Sequence, residues 1–286
     1  MDRFSKFHPF VCFSFFAGVI TVTILFTNSF FTALSLFGAF LYSVKLQGRK
    51  AVVFFMKYII PIVLFAAFFN MLFVRYGKHI LFVVKGINFT QEGFLSGLLT
   101  GVMIGAVMLW FFCYNRVITS DKFMALFGGI APNTALLFSM ILRFLPLMAQ
   151  TAEEIKTSNK GMGIAEKGLR DAVIRFSAVI SIRLEKSIET ADSMRARGFG
   201  KKKKRGFYSA FAFRFSDAAA AFFMITVVIL IIAFSVSDYP YILLNPGIHI
   251  QNHNLAILAL FGVFSVFPTA VDLTEEAKWL LLKSKI

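Results

Sequence analysis

The sequence predicts an all-α integral membrane protein of about six transmembrane helices, with a cytoplasmic or interfacial helical region between the fourth and the fifth. Three observations predict it. Hydrophobic residues make up 58% of the 286 positions and charged residues only 16%, where a soluble domain carries roughly a quarter. Several windows of about 18 or more residues hold almost no charge, the length a helix needs to cross ~30 Å of hydrocarbon. Charge is also segregated: of the 30 Lys and Arg residues, about 18 fall between positions 116 and 214, in the one long stretch that is not apolar throughout. A barrel would show short alternating segments instead. The net charge of +15 therefore reads as Lys and Arg retained on the cytoplasmic side, not as a nucleic-acid footprint.

Three stretches follow: membrane helices over 1–114 with about four spans, cytoplasmic or interfacial helices over 115–216, and membrane helices with a cytoplasmic tail over 217–286. Residues 10–26 and 30–44 are two short apolar helices joined at Thr27-Asn28-Ser29 and closed by Lys45, Arg49 and Lys50. Arg3 and Lys6 precede the first, as in a signal peptide, but the apolar run is too long and has no A-x-A site, so it is expected to stay as a membrane helix. The third span is 51–74, where Pro61 removes a backbone donor and should kink the helix. Lys57 near its start can snorkel to the surface. Residues 75–92 are expected outside, and the apolar run 80–84 is too short to cross, reading as an interfacial turn or strand. The fourth span, 93–114, carries Gly97, Gly101 and Gly105 at four-residue spacing. Such a ridge lets another helix approach closely, either within the chain or from a second membrane subunit.

From 115 the character changes. Apolar runs over 121–130 and 133–148 are broken by Lys122, Gly128-Gly129, Pro132, Arg143 and Pro146, and read as interfacial helices, not spans. A polar helix over 150–159 ends at Lys160-Gly161-Met162-Gly163. A longer helix, 166–197, carries Val173, Phe176, Ile180, Leu184, Ile188, Ala191 and Met194 in one stripe at the helical period, with Arg183, Lys186, Glu189 and Arg197 on other faces. The fifth span is 218–236, and the loop 237–254 is rich in turn residues. The sixth is 255–271 with Pro268, and an amphipathic tail follows. Six crossings place both termini in the cytoplasm.

Catalytic and metal signatures are absent. No phosphate-binding G-x-x-x-x-G-K-[ST] loop, HExxH or GxSxG occurs. Cys12 and Cys113 lie in apolar runs and read as small hydrophobes. His249 and His253 are four apart, but Pro246-Gly247 precede them and no carboxylate is near, so they read as loop residues, not a metal site. No Asp or Glu lies mid-span, which weighs against an enzyme or an ion-coupled carrier with its own midplane site. No cofactor is expected.

What is present is the decapeptide ADSMRARGFG at 191–200, followed by the basic run Lys201-Lys202-Lys203-Lys204-Arg205. Gly198 stands where a helix wants a left-handed residue, and Arg195 and Arg197 sit at the negative end of the helix dipole. IETADSMRARGFG at 188–200, centred on Ala196-Arg197-Gly198, RFLPL at 143–147, FHPFV at 7–11, CYNRVITSDKF at 113–123 and the terminal LLKSKI together resemble the transmembrane T subunit of energy-coupling factor transporters. These are ABC-type importers of vitamins and transition-metal ions in prokaryotes. The resemblance covers essentially the whole chain. It implies a non-catalytic subunit of the cell membrane, whose two signatures end coupling helices docked on two ABC-type ATPase subunits, while other helices hold a solute-binding membrane S subunit. The implied docking residues are Arg195, Ala196, Arg197 and Gly198 in the second signature and Lys160 and Gly161 in the first. Lys160 keeps the charge of the usual Arg without its planar fork, so Arg197 is the expected stronger anchor. The run 201–205 reads as a topology signal drawn to anionic lipid, or as further ATPase contact. No nucleic-acid partner is implied. A membrane adaptor that recruits soluble proteins without a transport cycle would explain the charge pattern equally well.

Overall fold

The computed structural model describes residues 4–26, 29–73, 80–84, 87–128, 131–163, 168–200, 215–244 and 252–283. The chain is predominantly helical, with α1 Pro9–Leu25, α2 Ser29–Gln47, α3 Arg49–Phe54, α4 Ile60–Phe73, α5 Gln91–Val117, α6 Ser120–Gly128, α7 Pro132–Gly161, α8 Leu169–Ala196, α9 Phe215–Leu244 and α10 Asn252–Lys283. This fits the expected all-α membrane fold, and the short run at 80–84, read as an interfacial turn or strand, is a strand. β1 (Ile80–Val84) and β2 (Ile87–Thr90) form an antiparallel hairpin with an irregularity between Ile80 and Phe82. Five residues of Ile, Leu, Phe and Val are too few to cross a bilayer but suit a strand. Thr90 then caps α5, its hydroxyl accepting from the Gly93 amide at 3.3 Å.

Among the described residues, five helices are long and apolar enough to cross a membrane: Ser29–Gln47, Arg49–Phe73, Gly93–Val117, Pro132–Gly161 and Ala256–Thr274. Pro9–Leu25 and Asp217–Ala233 are shorter apolar helices. The protein is thus a multi-pass membrane protein by the length and apolarity of its helices. Three expected boundaries change. The separate helices expected over 133–148 and 150–159 are one 30-residue helix, α7, containing Pro146, and it is long and apolar enough to span where only interfacial helices are expected; losing one internal hydrogen bond does not end a helix that has turns to spare on both sides. The loop expected from 237 is helix as far as Leu244, the end of α9. The sixth span and the tail are continuous in α10 through Pro268.

Two compact units divide the chain, Met1–Ser120 with Phe211–Ile286, and Asp121–Ala210. The first has an aromatic core. Phe15, Phe16, Tyr42, Trp110, Phe261 and Phe264 are all buried, and Phe15 meets Trp110 edge-on with ring centroids 5.7 Å apart. The indole needs a polar partner in this apolar setting. Its Nε1 donates to Ser35 Oγ at 3.0 Å, and Ser35 in turn shares a 2.7 Å hydrogen bond with Thr23 Oγ1, tying α5, α2 and α1 together. Phe4, fully buried, is held where its amide donates to Asp272 Oδ1 at 3.2 Å. His8 caps α1 by accepting from the Phe10 amide. Burial lowers its pKa, with the Asp217 carboxylate opposing the shift.

The glycine ridge packs within the chain. A methyl at Gly97 would lie 2.8 Å from the Cα of Ala67, one at Gly101 2.8 Å from the Cα of Val63, and one at Gly105 2.7 Å from Ile59 Cγ2. The first two obstacles are backbone, so α4 can approach α5 only because these positions lack a Cβ. Just before α4, Phe55–Ile59 forms a π-turn, in which the Ile60 amide donates to the Phe55 carbonyl. Pro61, which cannot donate, follows directly; the departure from α-geometry falls at this turn, where a kink is expected.

The second unit holds α6, α7 and α8. Phe123 of α6 contacts Phe127 on its own helix and Phe138 on α7, with centroids 4.8 and 6.2 Å apart. Val179 and Arg183 are the buried residues of α8. The expected apolar stripe is not the face turned to α7: Val173, Phe176, Leu184 and Ile188 are exposed.

Candidate functional site: two basic helix termini

The six residues singled out by sequence lie at the C-terminal ends of α7 and α8. The end of α8 is a Schellman termination. The Gly198 amide donates to the Arg195 carbonyl at 2.9 Å and the Phe199 amide to the Met194 carbonyl at 3.0 Å, with Gly198 at φ 84°. That double bond pattern requires a residue in the left-handed region directly after the cap, which glycine adopts without Cβ strain. Arg197 is the cap itself, donating its amide to Ser193. Arg195, Ala196 and Arg197 are exposed. Arg195 pairs with Asp192 at 3.9 Å, both side chains largely in solvent, an arrangement that holds little energy and leaves the guanidinium available.

The end of α7 is similar but displaced in register. Its cap is Met162 and its left-handed residue is Gly163, φ 75°, whose amide donates to the Lys160 carbonyl at 3.1 Å. Counting from the left-handed glycine, Lys160 corresponds to Arg195 and Gly161 to Ala196. Met162 stands where α8 has Arg197, with 65% of its surface exposed. The expected equivalence of Lys160-Gly161 with Arg197-Gly198 is thus shifted by two residues in helix geometry. The cause is the doubled glycine, Gly161 and Gly163, of which only the second has positive φ. Gly161 is ordinary helix, and a Cβ there would meet nothing within 4 Å.

The two ends are separate points. From the place where Arg183 of α8 meets α7, Lys160 lies ~17 Å along α7 and Arg197 ~21 Å along α8 at 1.5 Å per residue. The connection from Gly161 to Leu169 spans at most ~28 Å. The two C-terminal arms must therefore diverge by about a right angle or more, which puts the basic tips ~25 Å or more apart. Each tip presents an exposed cation, Arg195 and Arg197 at the end of α8 and Lys160 at the end of α7, and it is these side chains that suit an acidic surface.

Among the described residues no group of three or more His, Cys, Asp or Glu is placed to hold a metal ion. His79, His249 and the basic run 201–205 lie outside the described residues, as do residues 284–286 of the terminal motif. Cys12 and Cys113 are buried, and the Cys12 thiol donates to the Phe4 carbonyl at 3.3 Å. The sequence singled out neither Met162 nor the cross-helix role of Arg183; the cap glycine at 163 was the available signal for the first. Compared with known proteins, the chain matches no family model and no curated protein sequence.

Proposed function

We propose that this chain is the transmembrane scaffold and energy-coupling subunit of an energy-coupling-factor-type importer in a prokaryotic cell membrane, with both termini cytoplasmic. It is non-catalytic: two ABC-type ATPase subunits hydrolyse ATP, and a separate membrane S subunit binds the solute, a vitamin or a transition-metal ion. Arg197 with Arg195, Ala196 and Gly198 forms one docking tip, and Lys160 with Gly161 forms the other. The observation that carries this reading is the pair of exposed basic helix ends, joined in one unit yet ~25 Å or more apart. Two such tips suit two copies of one kind of partner. The bare apolar stripe of α8, with Val173, Phe176, Leu184 and Ile188 exposed, offers a surface for a membrane subunit, and the bilayer supplies lipid to the rest.

Motion passes from the ATPases to the solute-binding subunit through this unit. ATP binding closes the ATPase pair, the tips are displaced, and α7 and α8 carry the displacement to whatever rests on their apolar faces. Truncating one partner of a buried charged contact costs roughly 2–5 kcal/mol, so a reversed charge at Arg197 should release the ATPases outright. Arg197→Glu is expected to leave the protein in the membrane and to abolish co-purification of the ATPase subunits and uptake. An intact complex with normal uptake would sink the assignment. An adaptor without a transport cycle would recruit partners but leave their ATP hydrolysis unchanged, so stimulated hydrolysis in the reconstituted assembly separates the two.

A further inference from the structure

The contact between α7 and α8 contains a charge where an apolar pair would be simpler. Arg183 is 8% exposed, and beside it Val179 is 2% and Thr151 is 3% exposed. Its Nη2 donates to the carbonyl oxygen of Leu147 and to the hydroxyl of Thr151, both on α7. Its Nε is buried without a hydrogen-bond partner, and no carboxylate among the described residues pairs with it. A guanidinium buried without a counterion is a costly way to join two helices compared with packed hydrocarbon. Its distinguishing property is geometric: a planar donor set reaching two fixed acceptors specifies one register and one rotation of α8 against α7, which a smooth apolar contact does not.

The place of this grip on α7 is equally specific. Pro146 has no amide to give to the carbonyl of Leu142, so α7 bends most easily at that point. Leu147 and Thr151 lie in the turns directly after it. Arg183 thus fastens α8 to the half of α7 that ends at Lys160 and leaves the half before Pro146 outside the clamp.

We propose that Arg183 is a positioning residue, a rivet that makes the post-proline half of α7 and the whole of α8 one rigid lever, so that displacing either basic tip moves the other. The lever itself is a property of the isolated chain. Its use in coupling rests on the transport reading above.

The test measures the lever directly. Spin labels at two exposed positions, through Thr157→Cys and Ser193→Cys, report the distance between the arms in the purified full-length protein; native Cys12 and Cys113 are buried. One narrow distance distribution is expected in the parent background, and a distribution at least twice as broad with Arg183→Met. Thr151→Val, which keeps the shape and removes one acceptor, should broaden it to a lesser extent, and it decides the matter if Arg183→Met does not fold. An unchanged narrow distribution in whichever of these variants folds overturns the rivet. In proteoliposomes containing the ATPases and a solute-binding subunit, Arg183→Met should retain the ATPases while uptake per ATP hydrolysed falls about ten-fold, a ratio that simple loss of folded protein would not change. If the parent chain fails to retain ATPases at all, the transport reading fails while the label distances still judge the lever.

Discussion

Two helix pairs in this molecule are joined in opposite ways. The α4–α5 seam has no Cβ on one side: Gly97 and Gly101 admit the backbone of Ala67 and Val63 at distances no side chain would allow. Backbone against backbone at two positions one turn apart gives a joint that cannot slide without a clash and gains dispersion along its length. The α7–α8 joint is held instead by the buried Arg183 reaching Leu147 and Thr151, while much of both helices stays uncovered. The first joint builds a membrane core. The second rests on one buried side chain and leaves apolar faces of both helices exposed.

The α4–α5 seam is the joint that one substitution damages most. Gly101→Leu must push a side chain into the Val63 backbone, where neither side can yield. Overpacking of this kind costs about 1–3 kcal/mol and more when backbone is the obstacle, so the variant should show the largest fall in melting temperature and in yield of folded protein from membranes. A normal melting temperature would mean that α4 does not lie against this face.

At the helix tips the expected effects are smaller and of opposite sign at two glycines. Gly198→Ala forces a side chain into the left-handed region, at about 1–2 kcal/mol, and should fray the last turn of α8, measurable as faster amide exchange at Phe199. Gly161→Ala enters open space in ordinary helix and should stabilise the end of α7 by up to ~1 kcal/mol. Equal costs at both sites would return the cap of α7 to Gly161 and restore the simpler pairing of Lys160 with Arg197.

Much of the membrane unit was legible because a bilayer demands long apolar helices, and these stand out in composition alone. The four-residue glycine spacing marked a close approach at 97, 101 and 105. It could not name the neighbour, because a ridge records which face is bare and not which helix fills it. Pro146 read as an interruption, since sequence shows the missing amide but not the turns that carry the helix past it. The apolar stripe of α8 drew attention to Val173, Phe176, Leu184 and Ile188, while the face turned to α7 carries Val179 and Arg183. Periodicity finds residues that need cover; a single buried cation that sets an angle has no period. The hairpin at 80–90 was half legible, as a run too short to cross, and its pairing depended on β2, whose Ile87–Thr90 segment is too brief to show alternation.

The α8 tip can be tested most directly by placing a photo-crosslinking amino acid at Arg197 and identifying the adducts in native membranes. The expected result is a covalent adduct with an ATP-hydrolysing subunit whose yield changes between nucleotide-free and ATP-trapped states. Adducts with lipid alone, or a protein adduct indifferent to nucleotide, would contradict the proposal that this helix end receives the ATPase stroke.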